Sequence, residues 1–286
     1  MQRVGRSGRC VSTGHSLDDM SYEFISYQVT GRIAYVTINR PEVLNALHTA
    51  ANAEMRDAFE RFRDDDQAWV AILTGAGDKA FSAGNDLRVT AQRNAGRAGD
   101  SAEQPRASAP LGGITSSFDC DKPLIAAVNG YALGGGFELA LACDVIVAAD
   151  TAKFGLPEPR VGLVAAAGGM HRLPQHLPLK VAMGLMLTGQ QLTAIQAAEL
   201  GLVNEVVPLA DLTAAADRWA AQMLECSPVS LRITKRCVVA GLGRSVADAM
   251  QDDRASGRLA ELFSSQDATE GPLAFAEKRP PRWQAR

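Results

Sequence analysis

The spacing of apolar and polar residues changes several times along the chain, and each change marks an element. Residues 24–29 and 33–38 are apolar-rich six-residue runs flanking Thr30-Gly31-Arg32, which predicts a hairpin with a tight turn. Leu47, Ala51, Met55, Phe59 and Phe62 then follow helical spacing, with Asn45 as the expected N-cap and Asp64-Asp65-Asp66 as a solvated stop. Residues 69–74 form a continuous apolar run, the mark of a strand buried on both faces. Strand, helix and strand patterns return at 123–128, 136–143 and 144–149, which predicts an α/β fold. Between Arg88 and Gly113 apolar periodicity lapses into Ala, Gly, Arg, Ser, Gln and Pro, the composition of a disordered loop or a pocket wall. From residue 211 strand signals stop, and helices are expected over 212–226, 229–240 and 245–264. The expected organisation is an extension over 1–21, a core over 22–210 and a helical region over 211–286.

Composition narrows the partners. A net charge of −3 and a pI near 5.9 argue against a broad nucleic-acid footprint, though local basic patches can still hold a phosphorylated small molecule. No apolar run is long enough to span a bilayer, so no membrane partner is expected. Cys10, Cys120, Cys143, Cys226 and Cys237 are scattered without a CxxC pair. They read as buried thiols in a reducing, cytoplasmic setting rather than a disulfide framework or a zinc site, and four histidines without an HxxxH pair add no metal ligands. Residues 1–21, with Arg3, Arg6 and Arg9 among serines and glycines, are expected to be disordered.

The candidate chemistry lies in the middle of the chain. Glu138 follows Gly134-Gly135-Gly136 at the start of an apolar helix, and Glu158 lies between Pro157 and Pro159. Alone, Glu138 reads equally well as an acid complementing a helix dipole, and Glu158 as part of a rigid loop. Gly84-Asn85-Asp86 and the three glycines could likewise be mere tight turns. Together they offer more. Bare N–H groups leading into a helix make an anion site, and two carboxylates beside them supply what enolate chemistry at a carbonyl requires. Competing motifs are weaker. Gly75-Ala76-Gly77 imitates a dinucleotide fingerprint, but no amphipathic helix opens after it. Ser82 and Ser116 lie outside any GxSxG pattern and read as ordinary loop hydroxyls.

From residue 22 to 283 the chain resembles the crotonase superfamily, the enoyl-CoA hydratase/isomerase group. The resemblance rests on Asn39-Arg-Pro-Glu-Val-Leu-Asn-Ala46, Lys79-Ala-Phe-Ser-Ala-Gly-Asn-Asp-Leu87, Asn129-Gly-Tyr-Ala-Leu-Gly-Gly-Gly-Phe-Glu-Leu-Ala140 and Phe154-Gly-Leu-Pro-Glu158. Leu187-Thr-Gly189, with Ala194, Ala197 and Gly201-Leu-Val203, and the closing Phe275-Ala-Glu-Lys-Arg279 complete it. It implies a spiral of ββα units followed by C-terminal helices that assemble a trimer, or a dimer of trimers. It also implies a hydro-lyase of the kind used in fatty acid metabolism, adding water across the 2,3 double bond of a 2-enoyl-CoA thioester. Coenzyme A is then part of the substrate, and no separate cofactor is implied.

By the same resemblance the N–H groups of Asn85 and Gly135 form the oxyanion hole. Ala83, Asp86 and Leu87 join them along the acyl-CoA, and Lys79 and Lys278 lie near the CoA phosphates. Glu158 donates the proton to Cα, and Glu138 activates and positions the water. The rival readings are dehydration of a hydroxyacyl-CoA with a polar tail, double-bond isomerisation, and a non-catalytic acyl-CoA binder. The stretch after Glu158 departs from the usual hydratase pattern at Pro159, Ala165, Ala166, Met170 and His171, which puts the substrate in question. Pro159 fixes φ beside the acid, and His171 is expected to be a structural hydrogen-bonding residue.

Overall fold

The computed structural model describes residues 22–89, 91, 110–116 and 119–286. The expected extension over 1–21 and the middle of the 88–113 loop lie outside them. The hairpin forms as expected: β1 (Ile25–Thr30) pairs antiparallel with β2 (Ile33–Ile38), and Gly31 turns the chain at φ +60°. The main sheet continues in parallel through β3 (Val70–Gly75), β5 (Leu124–Val128), β7 (Val145–Ala149) and β10 (Glu205–Val207), in the order β1-β2-β3-β5-β7-β10. Three short strands, β4 (Ala80–Ser82), β6 (Tyr131–Leu133) and β8 (Lys153–Gly155), follow β3, β5 and β7 into a second sheet that β9 (Gln191–Thr193) completes. Each repeat therefore gives a long strand to one sheet and a short strand to the other. That repetition is the spiral of the resemblance.

The inner strands β3, β5 and β7 are buried on both faces, which explains their unbroken apolar runs. Along β3, Val70 and Ile72 point toward helix α6 (Leu212–Leu224), packing with its Leu212, Ala215, Ala216 and Ala220. The alternate positions Ala71 and Leu73 join the larger core with Met55, Phe59 and Phe62 of α1 (Thr49–Asp64). Helix α2 (Gly135–Ala142) is buried almost throughout, and α3 (Gly169–His176), α4 (Leu179–Thr188) and α5 (Ala194–Glu199) follow.

One expected cap is corrected. Asn45 does not cap α1; His48 does, its Nδ1 accepting from Ala51 N at 3.2 Å. Asn45 is fully buried at φ +55°, where its side chain stands in for missing backbone partners. It accepts from Arg40 N (2.9 Å) and donates to Ala76 O (3.0 Å) and Ala80 O (2.7 Å). Asn tolerates the left-handed region better than other non-glycine residues. Asn45→Ala should therefore cost about 3 kcal/mol, because it strands buried polar groups and adds strain; a urea midpoint unchanged from wild type would contradict this role.

The C-terminal region is helical, with finer divisions than expected. α7 (Pro228–Gly241) is followed by two helices where one was expected, because Gly257 at φ +78° breaks 245–264 into α8 (Val246–Ala255) and α9 (Arg258–Ser264). The further helix α10 (Gln266–Ala276) carries Pro272 inside it, which hides it from a reading by periodicity. Among the described residues no helix is long and apolar enough to cross a membrane.

Candidate active site

Two glycine turns meet where β4 and β6 end. In the first, Ser82 is buried, donates to Asn45 O at 2.8 Å and accepts from Gly84 N at 3.1 Å. These bonds occupy Ser82 structurally, in keeping with a plain hydroxyl. The turn is fastened further by a bridge to the segment before α1: Leu47 N donates to Gly84 O (2.7 Å), and Asp86 N to Leu47 O (3.0 Å). In the second turn Gly134 takes φ +55° and donates to Gly155 O at 2.9 Å, and α2 begins at Gly135.

The contact between the turns is too close for side chains. A Cβ on Gly84 would lie 2.5 Å from Gly135 N, and one on Gly135 would lie 3.5 Å from Asn85 N. The N–H groups of Asn85 and Gly135 therefore stand a few ångströms apart, and neither donates to any other described residue. Unpaired amide donors at a helix start form an anion-binding concavity. The side chain of Leu111 covers it, its Cδ2 2.3 Å from where a Cβ on Gly135 would sit. The described end of the 88–113 loop is thus a pocket wall.

Both glutamates flank this concavity. Glu138 lies one helical turn after Gly135 on the same face of α2 and is only 3 % exposed. Its Oε1 accepts from Gly169 N, at the start of α3, at 2.8 Å. Glu158 reaches in from a 3₁₀ turn, Glu158–Val161, which Pro159 shapes. Its Oε1 is 3.2 Å from where a Cβ on Gly134 would be, so the carboxyl group rests over bare glycine backbone. Its Oε2 is buried with no hydrogen-bond partner among the described residues.

Burial pushes the Glu138 carboxyl above its ordinary value of 4.5; the Gly169 N–H pulls it back and the nearby Glu158 charge adds to the rise. Burial also raises Glu158, against only its own backbone N–H. The two differ in a useful way. Glu138 holds an N–H donor that favours its anion, whereas an unpartnered oxygen favours the neutral form of Glu158. The surroundings therefore favour the charged form at Glu138 more than at Glu158.

Three contributors escaped the sequence reading: Leu111 as cover, Gly169 as donor to Glu138, and Arg172. The half-buried Arg172 reaches Ala167 O at 3.4 Å, and its charge favours the Glu138 anion. No local pattern marks them, because each acts across the fold rather than along the chain. His171 departs from expectation: it is exposed on α3, and its side chain makes no hydrogen bond among the described residues. Asp86 pairs with Arg40 at 3.4 Å, which anchors the turn rather than presenting a free carboxylate. Ala83 is fixed by its N–H on Leu44 O, and Leu87 is exposed beside the turn. Lys79 is exposed just before β4, at the opposite end of that short strand from the Gly84 turn. Lys278 is exposed beyond α10, and the described contacts do not join it to them.

The chain and its fold match known proteins. The family model for enoyl-CoA hydratase/isomerase matches residues 28–286. The chain is 44 % identical over 259 residues to a carnitinyl-CoA dehydratase from Escherichia coli, covering 90 % of this chain and 96 % of the relative. A carnitinyl-CoA dehydratase from Salmonella arizonae is also 44 % identical, over 256 residues, covering 88 % and 95 %. The crystal structure of enoyl-CoA hydratase from Mycobacterium tuberculosis superposes with a TM-score of 0.83 at 40 % identity, over 92 % of this chain and 99 % of that one. That of Bacillus anthracis enoyl-CoA hydratase gives 0.82 at 32 % identity, over 92 % and 100 %. The chain belongs to the enoyl-CoA hydratase/isomerase family.

Proposed function

We propose that this protein is a hydro-lyase that interconverts a 2-enoyl-CoA thioester and its 3-hydroxyacyl-CoA hydrate. The observation that carries the reading is the pair of unequal carboxyl groups, Glu138 and Glu158, facing two unpaired N–H groups across one concavity. The thioester oxygen accepts from Asn85 and Gly135. Charge that develops there as the enolate forms is stabilised by about 3 kcal/mol per donor. In the hydration direction Glu138 takes a proton from water as its oxygen adds to Cβ, and Glu158 delivers its proton to Cα. In dehydration the same protons move in reverse. Lys79 and Lys278 hold the CoA phosphates, and Ala83, Asp86 and Leu87 shape the passage between.

The substrate question has a specific pointer. Curated relatives of 44 % identity are named carnitinyl-CoA dehydratase, which favours a hydroxyacyl chain with a polar or charged tail over a plain alkyl one. The test is absorbance at the conjugated thioester band. Purified protein is offered crotonyl-CoA and, separately, crotonobetainyl-CoA. Loss of the band with either ester, abolished by Glu138→Ala, upholds the hydro-lyase, and the faster of the two identifies the tail. No change with either, while both esters still bind, would sink it.

The C-terminal helices carry the proposed trimer interface. Val246, Phe263 and Phe275 are each at least 74 % exposed on them, alongside Val238, Val239 and Leu242, more apolar surface than isolated helices leave in water. Sedimentation should give a trimer or hexamer mass; a monomer would refute it. Four free cysteines among the described residues fit a reducing, cytoplasmic setting, although only Cys120 is buried as expected, Cys143 and Cys237 being partly covered and Cys226 exposed.

A further inference from the structure

At the other end of the main sheet from the glutamates, where the chain enters β3 and β5, a cavity of about 470 Å³ lies between the core and the C-terminal segment. Arg32, Lys122, Arg232 and Arg286 line it, and Asp66 is the one acidic side chain on its wall. The positive surplus survives even if a backbone carboxylate at residue 286 is counted as a second negative charge.

The described hydrogen-bond partners of these four cations are all neutral. Arg32 donates to Gln67 O (3.2 Å) and Oε1 (2.9 Å), and Lys122 to Phe62 O (2.8 Å) and Asp65 O (2.7 Å). Arg232 Nη2 reaches Ala285 O at 3.4 Å, and Arg286 Nε reaches Gln266 Oε1 at 3.4 Å. Lys122 is only 6 % exposed; burial first, and then the nearby Arg232, disfavour its charge, while Asp65 and Asp66 support it. Arg232 Nε is buried with no hydrogen-bond partner among the described residues. Buried polar atoms are nearly always satisfied, and a cavity lined by four cationic side chains against one carboxylate is short of negative charge. A counter-anion answers both.

We propose that this cavity binds a phosphate-type polyanion. Guanidinium and ammonium donors approaching from several walls suit a tetrahedral oxyanion carrying more than one charge better than a planar carboxylate. The site is separate from the reaction: β3 has six residues, so the two ends of the sheet stand roughly 20 Å apart.

Trp69 and Trp283, two of the three tryptophans, line the cavity and report on it. Inorganic pyrophosphate titrated into the whole protein should change tryptophan fluorescence saturably, beyond the effect of sodium chloride at equal ionic strength. Arg232→Gln and Arg32→Gln should each weaken that binding about tenfold or more, and should Arg232→Gln not fold, Arg32→Gln alone decides. Saturating crotonyl-CoA should leave the pyrophosphate response in place. ADP binding more tightly than pyrophosphate would assign the phosphate to a nucleotide, and the reverse to an inorganic polyphosphate; either upholds the site. A response matched by chloride, variants that bind as wild type, or displacement by crotonyl-CoA would each overturn it.

Discussion

Glu158→Gln is expected to lower turnover about 10²–10⁴-fold, the usual contribution of a placed proton donor, while acyl-CoA binding stays close to that of the wild type. The amide keeps the shape of the carboxyl group over Gly134 but has no proton to deliver to Cα. The same substitution should raise thermal stability at neutral pH. Folding lifts both glutamate pKa values above 4.5, so the folded protein binds more protons than the unfolded chain just above that value. The stability tied to those protons is complete below about pH 4.5 and is lost as pH climbs through the raised values. A neutral side chain at 158 avoids that loss, so its advantage over wild type grows with pH and vanishes in acid. The activity profile should be a bell, falling at low pH as Glu138 takes up its proton and at high pH as Glu158 loses its own. Full turnover with Glu158→Gln, or a melting temperature lower than wild type at neutral pH, would remove Glu158 from its role.

How much of this could be read along the chain depended on the range of each interaction. The hairpin, β3 and the helical tail are local patterns, and the sequence carries them plainly. Asn45 shows where such reading fails. It sits before an amphipathic run, where a cap belongs, yet its amide reaches Ala76 and Ala80, more than thirty residues on. The glycine pairs signalled bare backbone, but only folding shows that Gly84 must touch Gly135 N. Glu138 and Glu158 were legible as chemistry, and the resemblance named Glu158 as the proton donor; the physical difference between their surroundings was not legible. That asymmetry comes from Gly169, thirty-one residues beyond Glu138, and from an orphaned oxygen on Glu158. Gly257 was visible as a residue, but it sat within a run whose apolar spacing continued past it, so the helix break was missed.

Neighbouring glycines at the start of α2 should separate catalysis from folding. On Gly135 a methyl group would meet Leu111 Cδ2 at 2.3 Å, Gly84 Cα at 3.3 Å and Asn85 N at 3.5 Å. The severe contact is with the end of a side chain that can swing aside, and the backbone φ is not in the left-handed region. Gly135→Ala should therefore fold, with its methyl group seated where the thioester oxygen must enter. Turnover should fall about 10²–10³-fold or more, since one obstruction weakens both donors. On Gly136 the methyl group would lie 2.0 Å from Ser82 O and 2.6 Å from Ser82 C, both backbone atoms. α2 and β4 would have to part, pulling the two turns away from each other. Gly136→Ala should lose about 3 kcal/mol or more of stability, as overpacking against rigid backbone does, and its urea midpoint should shift well below that of Gly135→Ala. The contrast is the test. Were Gly135→Ala to keep wild-type turnover, the N–H pair would not be holding the oxygen, and the two carboxyl groups would need another electrophile to explain their burial.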